Sequence, residues 1–290
     1  MLGESNVGVN AKSRANILPA TGQLAADTII LRTVDVSRVF RGLKALTGYN
    51  VSLRQGEILG VIGPNGAGKT TLFNLMTGFL APTTGQLILR GRDITGLPSH
   101  EVTNLGISRT FQNIRLFARM TVLDNVKTAQ QLRTRAGFWE TLATAPSFRR
   151  KERLLEEQAL AHLDSLGLAE FHAAYATSLP YGFQRKLEIA RALATEPDIL
   201  LLDEPAAGMN AQETSDITSF IREIHARFGL TIVVVEHDMS LIMPLCDRLQ
   251  VLNYGRIIAE GTPAEIRADP AVIEAYLGVD EPAEAREVNA

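Results

Sequence analysis

The sequence predicts an α/β fold, a mostly parallel sheet with crossover helices, with an antiparallel β region at its start and an inserted α-helical subdomain. Three observations predict it. A buried-looking strand, Glu57 to Ile62, runs into a Gly-rich turn and then a helical segment near Gly68. After Gly182, helical patterns alternate with the apolar strands Ile199 to Leu202 and Thr231 to Val235. Between these regions, from Thr121 to Leu179, the apolar period is helical.

Taken in order, residues 1–28 carry Gly, Ser and Asn without helical or strand period and read as a flexible leader. Ile30, Arg32, Val34 and Val36 fall two apart and predict a strand, followed by another apolar alternation over Leu46 to Leu53. Short strands are expected around Gln86 to Arg90 and Ile107 to Phe111, with a turn-rich segment, GRDITGLPSH, between them. In the helical insertion Leu155, Ala159, Leu163 and Leu166 share one face, and Gly167 supplies a stop. A helix carrying Leu187, Ala190 and Leu193 inward stops before Pro197. Ile217, Phe220, Ile221, Ile224 and Phe228 mark an amphipathic helix ending at Gly229. Asp238 is placed to cap the helix with Leu241, Ile242 and Leu245, and Thr262, Pro263 and Glu265 form a capping box for a short helix near the end.

The 290 residues are 46% hydrophobic and 21% charged, which excludes wholesale disorder and a polytopic membrane protein. With 29 Lys and Arg against 32 Asp and Glu, the formal charge is -3, too balanced for a chain built to grip nucleic acid. The single cysteine, Cys246, points to a cytosolic setting, and no Cys/His cluster has zinc spacing. No apolar run approaches the length of a membrane span, and the start lacks the pattern of a secretory signal.

Gly63, Pro64, Asn65, Gly66, Ala67, Gly68, Lys69 and Thr70 satisfy G-x-x-x-x-G-K-[ST] where a strand meets a helix, with Thr71 alongside. Backbone N–H groups, a helix N-terminus and the Lys69 ammonium together suit a triphosphate, and the Thr70 hydroxyl suits magnesium. Asp203 ends the apolar run ILLLD and should emerge at the C-terminal edge of the sheet, where it can hold magnesium through water. Glu204 follows it and can polarise an attacking water. A solvated strand end is the competing reading of such a pair, and the four preceding apolar residues weigh against it. His237 follows directly on the strand TIVVVE and should emerge on the same edge, although a strand-end His taken alone is more often structural.

With these residues in place, the chain resembles the ATP-binding subunits of ABC transporters over residues 29–278. Gln112 in RTFQN resembles the Q-loop, LPYGFQR the signature motif, AAGMN the D-loop, and His237 the switch histidine, all in family order. The resemblance implies a P-loop NTPase core (an ABC ATPase) spanning 29–278, with a helical subdomain over about 113–181 and a C-terminal tail at 279–290. It implies ATP and Mg2+ as ligands, with Glu204, His237 and Gln112 in catalysis and Thr70, Gln112 and Asp203 at the metal. It further implies that two cassettes close head to tail, so that Tyr181 and Gly182 of one cover the nucleotide held by the other. Phe40 stands near the family's adenine-stacking aromatic, with a core Phe as the competing reading. The signature departs from the common LSGGQ: Pro180 replaces Ser, Tyr181 the first Gly and Phe183 the Gln, which implies weaker or asymmetric hydrolysis. Asn210 stands where most D-loops end in Asp.

Within the family, RTFQNIRLFARMTVLDNV, the insertion with APSFRRKERLLEE, LEIARALATEPDILLLDEPAAGMN and GTPAEIRADPAVIEAYLG resemble the branched-chain amino acid importer branch, to which the urea importer ATPase also belongs. That implies partners: a second ATPase subunit (a nonidentical paralogue or a second copy), two membrane permease subunits and an external solute-binding protein, with the chain peripheral at the cytoplasmic face of the inner membrane. Ile114, Leu116 and Phe117 are candidates to receive a permease helix, with core packing as the alternative, and Arg149, Arg150 and Lys151 to face lipid headgroups or simply solvent. A soluble ABC ATPase is the competing class, but no second cassette, coiled coil or basic module is visible. A P-loop kinase or GTPase would have no use for a signature loop, and no NKxD string is present.

Overall fold

The computed structural model describes residues 28–131 and 146–277. The expected tail and all of the expected leader except Thr28 lie outside the described residues, as do the side chains of Arg149 and Lys151. The described chain opens with the long strands β1 (Ile29–Phe40) and β2 (Leu43–Arg54), then β3 (Ile58–Ile62), α1 (Lys69–Met76), β4 (Thr84–Leu89) and β5 (Arg92–Asp93). Next come α2 (Ser99–Asn104), β6 (Ile107–Arg109), α3 (Val122–Gln131) and α4 (Pro146–Ser165), and then α5 (Tyr181–Leu193), β7 (Ile199–Asp203), α6 (Ala211–Phe228) and β8 (Thr231–Val235). The described chain closes with α7 (Met239–Leu245), β9 (Arg248–Asn253), β10 (Arg256–Gly261), α8 (Pro263–Ala268) and α9 (Pro270–Leu277).

These strands make two sheets. One is antiparallel, ordered β2-β1-β4-β5; the other is ordered β10-β9-β3-β8-β7-β6 and is parallel except for the β9–β10 hairpin. The central strands β3, β7 and β8 are buried at every position, which is why they read as unbroken apolar runs rather than alternating ones. The strand period of two still divides them between two cores. Leu59, Val61, Leu201, Val233 and Val235 face α1 and the antiparallel sheet, while Ile58, Ile62, Leu200, Leu202, Ile232 and Val234 face the core with α5, α6 and the helical insertion.

The first strand corrects the expected alternation. Leu31, Thr33 and Val36 are buried and Arg32 is exposed, because the pairing register with β2 shifts between Thr33 and Val36, where Asp35 takes φ 49°. A bulge adds one residue and moves the following side chains to the other face.

In the insertion Ala159, Leu163 and Leu166 are buried as expected, and Gly167 ends the run in the left-handed region at φ 67°. From there to Pro180 the chain is not one helix but two single turns, Ala169–Phe171 and Ala176–Ser178, with Thr121 bridging Tyr175 between them. Asp238 caps α7 by accepting from Ser240 N at 2.8 Å, and the Thr262–Glu265 box caps α8.

Candidate functional site

The sheet order sets β3, β8 and β7 side by side and parallel, with Val61 opposite Val235 and Val235 opposite Asp203. The segments that follow each strand therefore leave one edge together: the phosphate loop after β3, Glu236 and His237 after β8, Asp203 and Glu204 at the end of β7.

The loop is shaped by what glycine permits. Gly63 takes φ 148° and a Cβ there would stand 2.0 Å from the Leu252 carbonyl oxygen; Gly68 takes φ 107° with the Ala45 carbonyl oxygen 2.6 Å from the same position. The loop closes on itself through Ala67 N to Pro64 O, and Gly255 N donates to Ala67 O. Lys69 opens α1 buried, its Nζ donating to Gly63 O at 2.6 Å and Pro64 O at 3.0 Å. Burial lowers its pKa, an effect opposed by the nearby Glu204 and Asp203 carboxylates. The first turn of α1 has no side-chain cap and no acidic residue, so its donors and its positive dipole end suit an anion. Thr70, also in that turn, is exposed, and Thr71 is half-buried.

Asp203 and Glu204 diverge for a backbone reason. Asp203 is the last strand residue, whereas Glu204 takes φ 45°, an uncommon conformation for a non-glycine residue, held by its N–H on Val235 O at 2.8 Å. The Glu204 carboxylate accepts from Gln112 Nε2 at 2.6 Å, and His237 Nδ1 stands 4.0 Å from the same oxygen. His237 is 63% exposed, so its ring faces the open side of this edge.

Sequence reasoning missed the groups that hold these. Glu236 is buried and accepts from Ala206 N at 2.8 Å, His237 N at 3.0 Å and Asp238 N at 3.3 Å, tying the β8 exit to the turn after Glu204. Burial raises its pKa, against those three donors. The signal was present, since a glutamate ends the apolar run TIVVVE. Arg185 on α5 is fully buried and donates to the carbonyls of Phe111 and Gln112, both at 2.9 Å, and to Glu188 at 2.8 Å. Glu188 in turn accepts from Phe111 N and Arg115 N. This buried pair grips the backbone on both sides of Gln112. An Arg and a Glu three apart on the inward face of an amphipathic helix would have flagged it.

Tyr181 and Gly182 are not brought to the phosphate loop of their own chain. They open α5 after Pro180, and the Tyr181 hydroxyl donates to Ala207 O at 2.9 Å, in the segment after Glu204. Phe40 ends β1, 37% exposed and outside both cores, with the Arg38 guanidinium 4.6 Å from its ring; the core reading is set aside. Leu116 packs against the core and Ile114 is half-buried, while Phe117 is exposed beneath the Arg191 guanidinium. Arg150 is exposed.

Among the described residues no three His, Cys, Asp or Glu side chains gather as a metal site. Thr70 and Asp203 fit magnesium only as part of a shell completed by phosphate oxygens and water, which is how that ion is usually held. Among the described residues, too, no helix is long and apolar enough to cross a membrane.

Known proteins are similar to this chain in sequence and fold. The family model for ABC transporters matches residues 46–207, and that of the branched-chain amino acid ATP-binding cassette transporter matches 256–282. The high-affinity branched-chain amino acid transport ATP-binding protein LivG of Salmonella typhimurium is 46% identical over 239 residues, covering 82% of this chain and 94% of its own length. The crystal structure of the ADP conformation of MJ1267, an ATP-binding cassette of an ABC transporter, superposes with TM-score 0.76 at 34% identity, covering 87% of this chain and 99% of that one. The dimeric, post-hydrolysis ATP-binding cassette MJ0796 with ADP and phosphate superposes with TM-score 0.67 at 25% identity, covering 81% of this chain and 99% of that one.

Proposed function

The chain belongs to the ATP-binding subunits of ABC transporters and is an ATPase of that family; from that premise we propose that it drives uptake of branched-chain or related hydrophobic amino acids, with the residues at the sheet edge dividing the work as follows. Gly63 to Thr71 hold the triphosphate of ATP and Phe40 stacks on its adenine. Thr70, Asp203 and Gln112 would hold magnesium, which would supply positive charge against the charge of the phosphates. Glu204 takes the proton of the attacking water, Gln112 keeps its carboxylate aimed, and His237 contacts the γ-phosphate. The single observation that carries this division is the Gln112–Glu204 hydrogen bond of 2.6 Å at the edge where Lys69, Asp203 and His237 also emerge.

Catalysis in this reading needs a partner cassette. The start of α5 hydrogen-bonds to the Ala207 carbonyl and not to the phosphate loop, which suits Tyr181 and Gly182 to the nucleotide of a facing subunit. The unit that closes is the cassette 29–278, with about 113–181 as its helical subdomain. The facing subunit is a nonidentical paralogue or a second copy, and both dock at the cytoplasmic face on two permeases served by an external binding protein. Phe117, exposed beside the half-buried Ile114 and Leu116, supports a permease helix resting there.

The transported solute is tested by uptake. A strain lacking its own branched-chain importer, given this chain with its neighbouring permease and receptor genes, should take up labelled leucine, and Lys69→Ala should abolish that uptake. Uptake of urea but not leucine would reassign the solute and leave the ATPase intact.

A further inference from the structure

The shortest ion pair at the site lies on a residue that the division of work above does not use. Arg109 is the last residue of β6, registered opposite Leu201, and its side chain reaches along the sheet to the end of β7. There its Nη2 donates to Asp203 Oδ2 at 2.6 Å, with the two side chains only 6% and 7% exposed. Its Nη1 donates to Asn74 Oδ1 on α1 at 2.7 Å. The guanidinium lies over the rings of Phe73 and Phe111, 5.4 and 5.3 Å from their centroids. One planar cation thus joins the phosphate-loop helix, the carboxylate of β7 and the residue preceding Gln112. Only a forked donor on a long stem can span Asn74 and Asp203 together.

Asp203 is the carboxylate assigned above to magnesium, and a positive group already bonded to one of its oxygens opposes a second cation at the other. We infer that Arg109 is a positioning residue that holds Asp203 in place and, by sharing its charge, sets how strongly the site demands magnesium with its nucleotide. The inference rests on the proposed role of Asp203. Physically it is a trade between two effects. Pairing keeps a buried carboxylate aimed; the same positive charge, on the carboxylate the metal would share, weakens the metal's hold roughly tenfold.

The measurement is the ratio of nucleotide affinity with Mg2+ to that with EDTA, read by equilibrium binding of a fluorescent, non-hydrolysable ATP analogue, together with the thermal midpoint of the unliganded protein. Arg109→Gln should lower the thermal midpoint and yet raise the magnesium ratio by about tenfold. Arg109→Lys keeps the charge but reaches one partner, so its ratio should stay within about threefold of the parent. A lowered midpoint with an unchanged or smaller ratio in Arg109→Gln would make Arg109 merely structural and overturn the inference. Should Arg109→Gln not fold, a tenfold change in Arg109→Lys would do the same. Asp203→Asn separates the two levels: if it leaves the parent ratio unaltered, Asp203 does not hold the metal and the reading beneath fails, whereas loss of the ratio there beside no gain in Arg109→Gln removes only the role of Arg109.

Discussion

At the scale of single residues, the site is an arrangement of charges that are individually costly to bury and are kept by specific partners. Lys69 is buried with its ammonium on two loop carbonyls, so a phosphate bound as proposed would exchange neutral acceptors for charged ones. Lys69→Ala should weaken ATP binding by about 10- to 100-fold in calorimetry. An unchanged affinity would remove the loop as the nucleotide site. Glu236 offers a test that uses pH. Burial raises its folded pKa, so the native state binds the proton more tightly than the unfolded chain, and its stabilisation is lost as pH rises through the window above the ordinary glutamate value. Denaturant unfolding across that window should show a downward slope with rising pH that Glu236→Gln reduces; identical slopes would place the burial effect elsewhere. Phe183 receives a role that sequence reasoning left blank. Its ring packs 4.8 Å from Phe171 and lies near Lys186, so Phe183→Gln should cost about 1–2 kcal/mol of stability in chemical denaturation while leaving or raising ATPase activity.

At the scale of elements, helix ends decide where functional segments begin. Asn210 accepts from Glu213 N at 3.0 Å and Glu213 reaches back to Asn210 N, a capping box that stops the turn after Glu204 and starts α6. The family's usual Asp would accept the same bond, which accounts for the departure at this position. Asn210→Ala should cost about 1 kcal/mol in chemical denaturation, and no cost would show the cap to be redundant. Most elements of this kind were legible from the chain: Gly-rich loop, ILLLD, TIVVVE and the Thr262 box each pair a composition signal with a unique local solution. The bulge in β1 was not, because an inserted residue changes the facing of side chains without changing composition. Arg109 was also hidden. Its partners Asp203 and Asn74 lie on elements distant in sequence, and a buried charge is indistinguishable from a surface one until the sheet order is known.

At the scale of the whole molecule, the proposed function gives one cassette a phosphate loop and leaves the start of α5 for the nucleotide of a second subunit. ATP between the two would supply charge that neither face neutralises alone, and hydrolysis would remove it. With its partner ATPase and permeases co-expressed, the chain should purify as a membrane complex whose ATPase rises on reconstitution. A stable complex with ribosomes or DNA instead would favour a soluble role. The most direct test of the central claim, that ATP held at this edge and attacked under Glu204 drives closure and release, is the combined mass and turnover of Glu204→Gln in the assembled cassette pair. The account predicts an ATP-dependent closed pair that keeps its nucleotide while turnover falls about 100- to 10,000-fold. A protein that hydrolyses ATP at the parental rate, or that binds ATP without closing, would contradict it.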